Sequence, residues 1–300
     1  MITPPLLRRG DTVGIPAPAG CLTESEIQPA IELIRSWGLH VVTGQYLFKR
    51  RNSFAGTDAQ RAADFQAMLD DPAIKAIICA RGGYGTIRIL QRLSFEKFIR
   101  RPKWIAGCSD ITVLHAFLQQ HAGIESLHSA MPRYVPPEKP DLASMDSLRA
   151  ALFGEVRQYG IQPHKDNLYG TAQGVLIGGN LSVLYSLAGT GIEPDTAGRI
   201  LFLEDVNEYL YHIDRMIMNL LWRGRLKHLK GLVVGAMNGM KVSGSGFRKP
   251  AYAIIREAVS GYGFPVMFGF PAGHLRPNMS LVLGREVQIT VDRNQSQIRF

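Results

Sequence analysis

The feature that most limits what this chain can fold into is a recurring unit: a short apolar run, a glycine-bearing turn, then an amphipathic stretch. Residues 12–16 form one such run. The turn Pro18-Ala19-Gly20 follows, and Thr23-Glu24-Ser25-Glu26 has the spacing of a capping box ahead of a helix over 27–37. A second run covers 40–43, and Thr57 can cap a helix through Arg61, Phe65 and Leu69. The run at 74–80 is broken by Arg81-Gly82-Gly83-Tyr84-Gly85 before a helix over 86–93. The run at 104–106 leads through Gly107 into a helix over about 110–121, with Ile111, Leu114, Phe117 and Leu118 on one face. Buried-type strands alternating with helices imply a mostly parallel sheet covered on both sides.

The pattern is interrupted once. Pro132, Pro136, Pro137 and Pro140 mark an irregular stretch, a short helix over 144–152 follows, and a polar segment runs through Tyr169. It then restarts with a strand at 174–177, the turn Gly178-Gly179-Asn180 and a helix over 181–188. A strand at 199–203 precedes a long helix over 209–226, striped by Leu210, Ile213, Ile217, Leu220 and Leu221. Further strands are expected at 231–236 and 266–269, a helix at 251–259, and a hairpin-like alternation over 280–300. The expected fold is α/β with two domains. An N-terminal, mostly parallel doubly wound sheet occupies 1–150, a connection 151–168, and a C-terminal mixed α/β domain 169–300. The 300 residues suit two domains of about 150 each.

Composition closes off several alternatives. With 46% apolar and 20% charged residues the chain can build a core, so disorder is not expected. No apolar run approaches the ~18 residues of a membrane span, and the first ten residues carry no signal-peptide core. Cys21, Cys79 and Cys108 are widely spaced and form no CxxC pair. They speak against a disulfide framework or a zinc site and suit a reducing cytoplasm. The net charge of +9 favours anionic partners. The basic residues are dispersed, however, apart from Lys49-Arg50-Arg51, Arg100-Arg101-Lys103 and 223–230, and no nucleic-acid-binding module accompanies them. Neither nucleic acid nor a membrane is therefore expected as a partner.

Ligands of open α/β sheets gather beyond the carboxyl ends of strands, and the chemically capable residues sit in those turns. Gly107-Cys108-Ser109-Asp110-Ile111 places a serine on a tight strand-to-helix turn, where its hydroxyl projects and nearby amides can hold an oxyanion. It is not GxSxG, since Ile111 replaces the second glycine, and Ser109 or Asp110 would equally serve as a helix cap. A serine nucleophile needs a base and an orienting acid. His274, in the glycine-bearing loop 269–274, is the best-placed base, with His128 its rival; His115 and His212 fall inside helices. Glu204 and Asp205 end an apolar strand, where a sheet delivers a carboxylate to its rim. Arg81-Gly82-Gly83-Tyr84-Gly85-Thr86 can present amides to an oxyanion or a phosphate, but lacks the Walker Lys-Ser/Thr and the full GxGxxG. No metal-ligand spacing is present and no cofactor is implied. A non-catalytic module whose glycine turns hold a phosphate or a sugar-peptide, and a kinase-like site, remain the readings from other classes.

Five motifs occur in order: Arg81-Gly82-Gly83-Tyr84-Gly85; Gly107-Cys108-Ser109-Asp110-Ile111-Thr112; Gly178-Gly179-Asn180-Leu181; Leu203-Glu204-Asp205 with Ile213-Asp214-Arg215-Met216; and Gly273-His274 with Pro277-Asn278. Together they resemble the LD-carboxypeptidase family of serine peptidases, which also includes the microcin C immunity proteins. The resemblance spans essentially the whole chain. It implies a cytoplasmic Ser–His–Glu hydrolase of two α/β domains, usually a homodimer, that removes the terminal D-alanine from muropeptide tetrapeptides. Peptidyl-nucleotide hydrolysis is the variant within the family. Ser109 would then be nucleophile, His274 base and Glu204 acid. The amides of Gly83 and Asp110 would form the oxyanion hole, with Arg81 a possible contact for the substrate carboxylate. Cys108 stands where the family often has an aromatic, and His128-Ser129-Ala130-Met131 only approximates its His-Gly-Pro-Met; both bear on pocket shape.

Overall fold

The computed structural model describes residues 1–135, 138, 140–244 and 246–300, so Pro136 and Pro137 of the irregular stretch lie outside the described residues. The apolar runs become the strands β1 (Thr12–Ile15), β2 (His40–Thr43), β3 (Ile74–Ile78), β4 (Trp104–Gly107) and β5 (Ser126–His128). In the second half they become β6 (Gln158–Ile161), β7 (Gly170–Asn180), β8 (Ile200–Val206), β9 (Gly231–Asn238), β10 (Val266–Phe268), β11 (Leu281–Leu283), β12 (Glu286–Val291) and β13 (Ser296–Arg299). The first sheet has the order β11-β5-β4-β3-β1-β2 and the second β10-β9-β8-β7-β12-β13-β6. All neighbours in the first sheet are parallel except β11 against β5. In the second, β10-β9-β8-β7 are parallel and β12, β13 and β6 add antiparallel pairs. The mixed α/β architecture matches the expectation.

Local chemistry explains the elements. Helix Asp58–Asp70 starts at Thr57, whose hydroxyl accepts from Gln60 N (3.1 Å) while Gln60 Oε1 accepts from Thr57 N (2.9 Å), a reciprocal capping box. Because side chains alternate along a strand, Ala76 and Ile78 of β3 enter one core with Ile27, Ile31 and Ile34 of helix Glu24–Ser36. Ile77 enters another core with Phe65, Leu69 and Leu114, so both faces of the sheet are covered. In the second sheet Leu201 and Leu203 pack on helix Leu210–Trp222, and Ile200 and Phe202 on the opposite side.

Several boundaries differ from the sequence reading. The long helix stops at Trp222 rather than 226, where Gly224 takes a left-handed φ of 68°. Strand β6 lies within the segment read as a connection, and β5 and the helix Glu96–Arg100 were not foreseen. The tail is not one local hairpin: β12 and β13 pair with each other, but β11 crosses to the edge of the first sheet. There Val282 packs into the first sheet's core while Leu281 and Leu283 pack into the second's. This strand sews the two sheets together.

Candidate active site

Ser109 and His274 follow the ends of parallel strands, and Glu204 lies in the C-terminal half of β8. β4 gives out at Gly107, and the chain turns into a short 3-10 segment, Ser109–Ile111, ahead of helix Thr112–Phe117. Ser109 has φ = 61°, a left-handed backbone that costs a non-glycine residue roughly 1–3 kcal/mol and lifts the hydroxyl out of the turn. Beneath it, buried His115 bonds the Gly107 carbonyl through Nε2 (2.9 Å) and the Ser126 hydroxyl through Nδ1 (2.9 Å). Burial pushes its pKa down to about 3, so the ring is neutral and holds the backbone that enters the turn.

The loop after β3 lies directly against this turn. A Cβ on Gly82 would stand 2.8 Å from Ser109 Cβ and 3.0 Å from Oγ, so only glycine fits. Asp110 fastens the two loops together, its buried carboxylate accepting from Thr86 N at 2.7 Å. Burial raises the Asp110 pKa, and the hydrogen bonds from Thr86 oppose the rise. Gly83 and Asp110 thus lie in two loops that abut beside the Ser109 hydroxyl. The Arg81 guanidinium donates to the Cys21 carbonyl (2.7 Å) and packs on Gly20, bracing the loop.

Across from the serine turn, Glu204 of β8 is fully buried. Its Oε2 accepts from His274 Nδ1 at 2.8 Å and from the His274 amide at 3.3 Å, and its Oε1 accepts from Asn180 Nδ2 at 3.2 Å. A Cβ on Gly273 would lie 2.6 Å from Oε2, so glycine lets the His274 loop close over the acid. Burial by itself would raise the Glu204 pKa, but the two imidazoles facing it, His128 and His274, hold it down to about 2. For half-buried His274, burial opposes the charged form, but the hydrogen bond and charge of Glu204, with Asp205 behind, raise its pKa above the ordinary value. Asp205, next in the strand, shares Asn180 with Glu204 but is otherwise bonded elsewhere. It accepts from Ser182 N (2.8 Å), Ser182 Oγ (2.6 Å) and Asn180 Nδ2 (3.1 Å), so it orients Asn180 rather than a base.

The serine turn and the acid–histidine pair are locked to each other. Thr112 Oγ1, just after Ser109, accepts from Asn180 N at 3.0 Å, and Asn278 Nδ2 lies 3.9 Å from Cys108 Sγ. Asn278 Oδ1 in turn accepts from Gly273 N at 2.9 Å, next to His274. No hydrogen bond joins Ser109 Oγ to the His274 ring among the described residues, and such catalytic bonds commonly tighten only once substrate is bound. A concavity of about 330 Å³ opens beside His274, lined by Arg133, Tyr134, Leu275 and Arg276. Sequence reasoning singled out Ser109, Glu204 and His274 but missed Arg133, Arg276 and the Thr112–Asn180 clasp. Thr112 and Asn180 each fall within one of the ordered motifs, but nothing local shows that they meet, and nothing local marks the two arginines.

A glycine-braced serine elbow opposite a buried carboxylate–imidazole pair is the layout of a serine hydrolase. Two family models match the chain, the LD-carboxypeptidase N-terminal domain over residues 13–129 and the LD-carboxypeptidase C-terminal domain over 173–289. The chain belongs to the LD-carboxypeptidase family. It is 32% identical over 288 residues to a probable murein peptide carboxypeptidase of Bacillus subtilis, covering 94% of this chain and 89% of that protein. It is 26% identical to the microcin C7 self-immunity protein MccF of Escherichia coli, covering 96% and 93% of the two. Among solved structures, the muramoyltetrapeptide carboxypeptidase of Oxalobacter formigenes superimposes with a TM-score of 0.86 at 30% identity, over 96% of this chain and 97% of that one.

Proposed function

We propose that this protein is a serine carboxypeptidase that removes the terminal D-alanine from muropeptide tetrapeptides, with Ser109 as nucleophile, His274 as general base and Glu204 as its orienting acid. The observation that carries this reading is the buried Glu204–His274 pair, 2.8 Å apart, clasped through Asn180 and Thr112 to the strained Ser109 turn. His274 Nδ1 donates to Glu204, which leaves Nε2 as the acceptor a serine proton needs. As Ser109 attacks the peptide carbonyl, His274 takes its proton and Glu204 stabilises the imidazolium. The Gly83 and Asp110 amides hold the oxyanion, a role commonly worth about 3–4 kcal/mol per donor. His274 then protonates the departing D-alanine amine, and water releases the acyl-enzyme by the same relay.

A carboxypeptidase must also read a free carboxylate. Arg133, which also pairs with Glu26 at 3.0 Å, and Arg276 lie on the wall of the concavity beside His274 and bring positive charge there, so they join Arg81 as the residues to meet that carboxylate. The surplus of nine positive charges fits a substrate that carries several carboxylates. Among the described residues no helix is long and apolar enough to cross a membrane. A cytoplasmic homodimer is the proposed working form. The test is incubation with a defined tetrapeptide, following free D-alanine, beside folded Ser109→Ala and beside a peptidyl-nucleotide as rival substrate. D-alanine release by the wild type and none by the variant is expected; equal turnover by the variant would sink the nucleophile assignment.

A further inference from the structure

His128 ends β5, and its ring is completely buried. Both ring nitrogens lack a hydrogen-bond partner among the described residues. A buried polar group left unpaired is costly and calls for a reason. Its Nε2 faces Glu204 Oε1 at 3.9 Å, the oxygen that His274 does not use. The acid therefore lies between two imidazoles, one at bonding distance and one a short closing movement away.

We propose that His128 is a positioning residue for the Glu204–His274 pair: it carries its proton on Nε2 and donates it to Glu204 Oε1 as the site becomes charged. This rests on the reading of Glu204 as the acid of the reaction. When His274 takes the serine proton, Glu204 must stay ionised with Oε2 aimed at Nδ1. Asn180 Nδ2 holds Oε1 from one side at 3.2 Å but is shared with Asp205, at 3.1 Å. A second donor on Oε1 fixes the rotation of the carboxylate and spreads its charge.

The surroundings leave His128 few other partners. From helix Thr112–Phe117 the ring of His115 stands 6.4 Å away, neutral and satisfied by Gly107 and Ser126. The edge contact from β8 is Phe202, ring centres 4.9 Å apart, and its ladder neighbours are Leu281 and Gly107. Cys108, next to that ladder, is a buried thiol whose pKa is pushed up to about 12 and carries no charge. Charge therefore reaches His128 from Glu204, and behind it from His274 and Asp205.

Two measurements test this. In the wild-type protein, nitrogen chemical shifts of labelled histidine are expected to place the His128 proton on Nε2; finding it on Nδ1 would overturn the proposal without reference to activity. In the second, His128→Phe and His128→Met remove the donor, while His128→Gln retains one. The first two are expected to lose about 10-fold in kcat with KM little changed. The acid limb of their pH profile should move to higher pH, because a less stabilised Glu204 holds the His274 proton more tightly. His128→Gln should recover most of both. A fall in kcat with the limb unmoved and no recovery by Gln would reduce His128 to packing and end the proposal. The Ser109→Ala control separates the two readings: it decides the nucleophile, whereas the histidine tautomer is read in wild-type protein whatever the substrate proves to be.

Discussion

Replacing Glu204 by Gln keeps the shape of the acid and removes its charge. His274 Nδ1 lies 2.8 Å from Oε2. That places the centres of a carboxylate and an imidazolium roughly 4 Å apart, a pair worth about 4 kcal/mol at an effective dielectric constant near 20. The imidazolium is present in the transition state and not in the resting base, so the loss falls on the barrier: about 10³-fold in kcat. KM should change little, because Glu204 is buried behind His274 and does not face substrate. The hydrogen bonding points the same way. Asn180 Nδ2 will continue to claim the amide oxygen of the new side chain, so its NH₂ meets His274 Nδ1. Two donors cannot face each other, and the ring will turn to the tautomer with its proton on Nε2, where a base is required. Steady-state kinetics across pH check both points. The acid limb should move to lower pH, since the anion that raised the His274 pKa is gone. Retention of more than a tenth of wild-type kcat, or an unmoved limb, would refute this account of the pair.

Gly82→Ala should place a methyl group 2.8 Å from Ser109 Cβ and push the nucleophile off its position. Displacements of about 1 Å can cost about 10²-fold, so kcat is expected to fall by that order while the melting temperature stays within a few degrees; undiminished activity would show that the loop yields. The stability of the protein should also record the pair. The Glu204 pKa falls from an ordinary 4.5 to about 2 on folding, so the stability it contributes is complete above about pH 4.5 and is lost as pH drops toward 2. His274, whose pKa is raised, contributes stability below its ordinary 6.5 that fades as pH rises through its folded value; this is the same ion pair seen from its other side. Melting curves between pH 2 and 5 should be steeper for wild type than for Glu204→Gln, and parallel curves would count against the depressed pKa.

Legibility in the sequence followed the range of the interaction that had to be read. The apolar runs 12–16, 74–80 and 104–106 announced β1, β3 and β4 because side-chain alternation and a terminating turn are properties of a few consecutive residues. The reciprocal cap at Thr57 and Gln60 was foreseeable for the same reason. β5 and β11, three residues each, carry too little pattern to stand out alone, and they are strands because β5 pairs with both β4 and β11.

The sequence by itself determined the alternating strand–helix order and the placing of Ser109, Glu204 and His274 at strand ends, since turn chemistry and apolar periodicity are local. Tertiary structure alone decided the rest. It gave Glu204 rather than Asp205 to His274: both carboxylates accept from Asn180 Nδ2, but Asp205 is taken up by Ser182, and only the packed neighbours decide which of the two meets the ring. It drew Asn180 onto Thr112 across 68 residues and buried His128 beside the acid. It set Arg81 against the Cys21 carbonyl, and it sent β11 back to the first sheet, so that one strand feeds both cores. Those contacts join residues whose separation along the chain leaves no local trace. They exist because the loops at the strand ends of the two sheets, and the strand β11 that feeds both cores, come together only when the whole chain is folded.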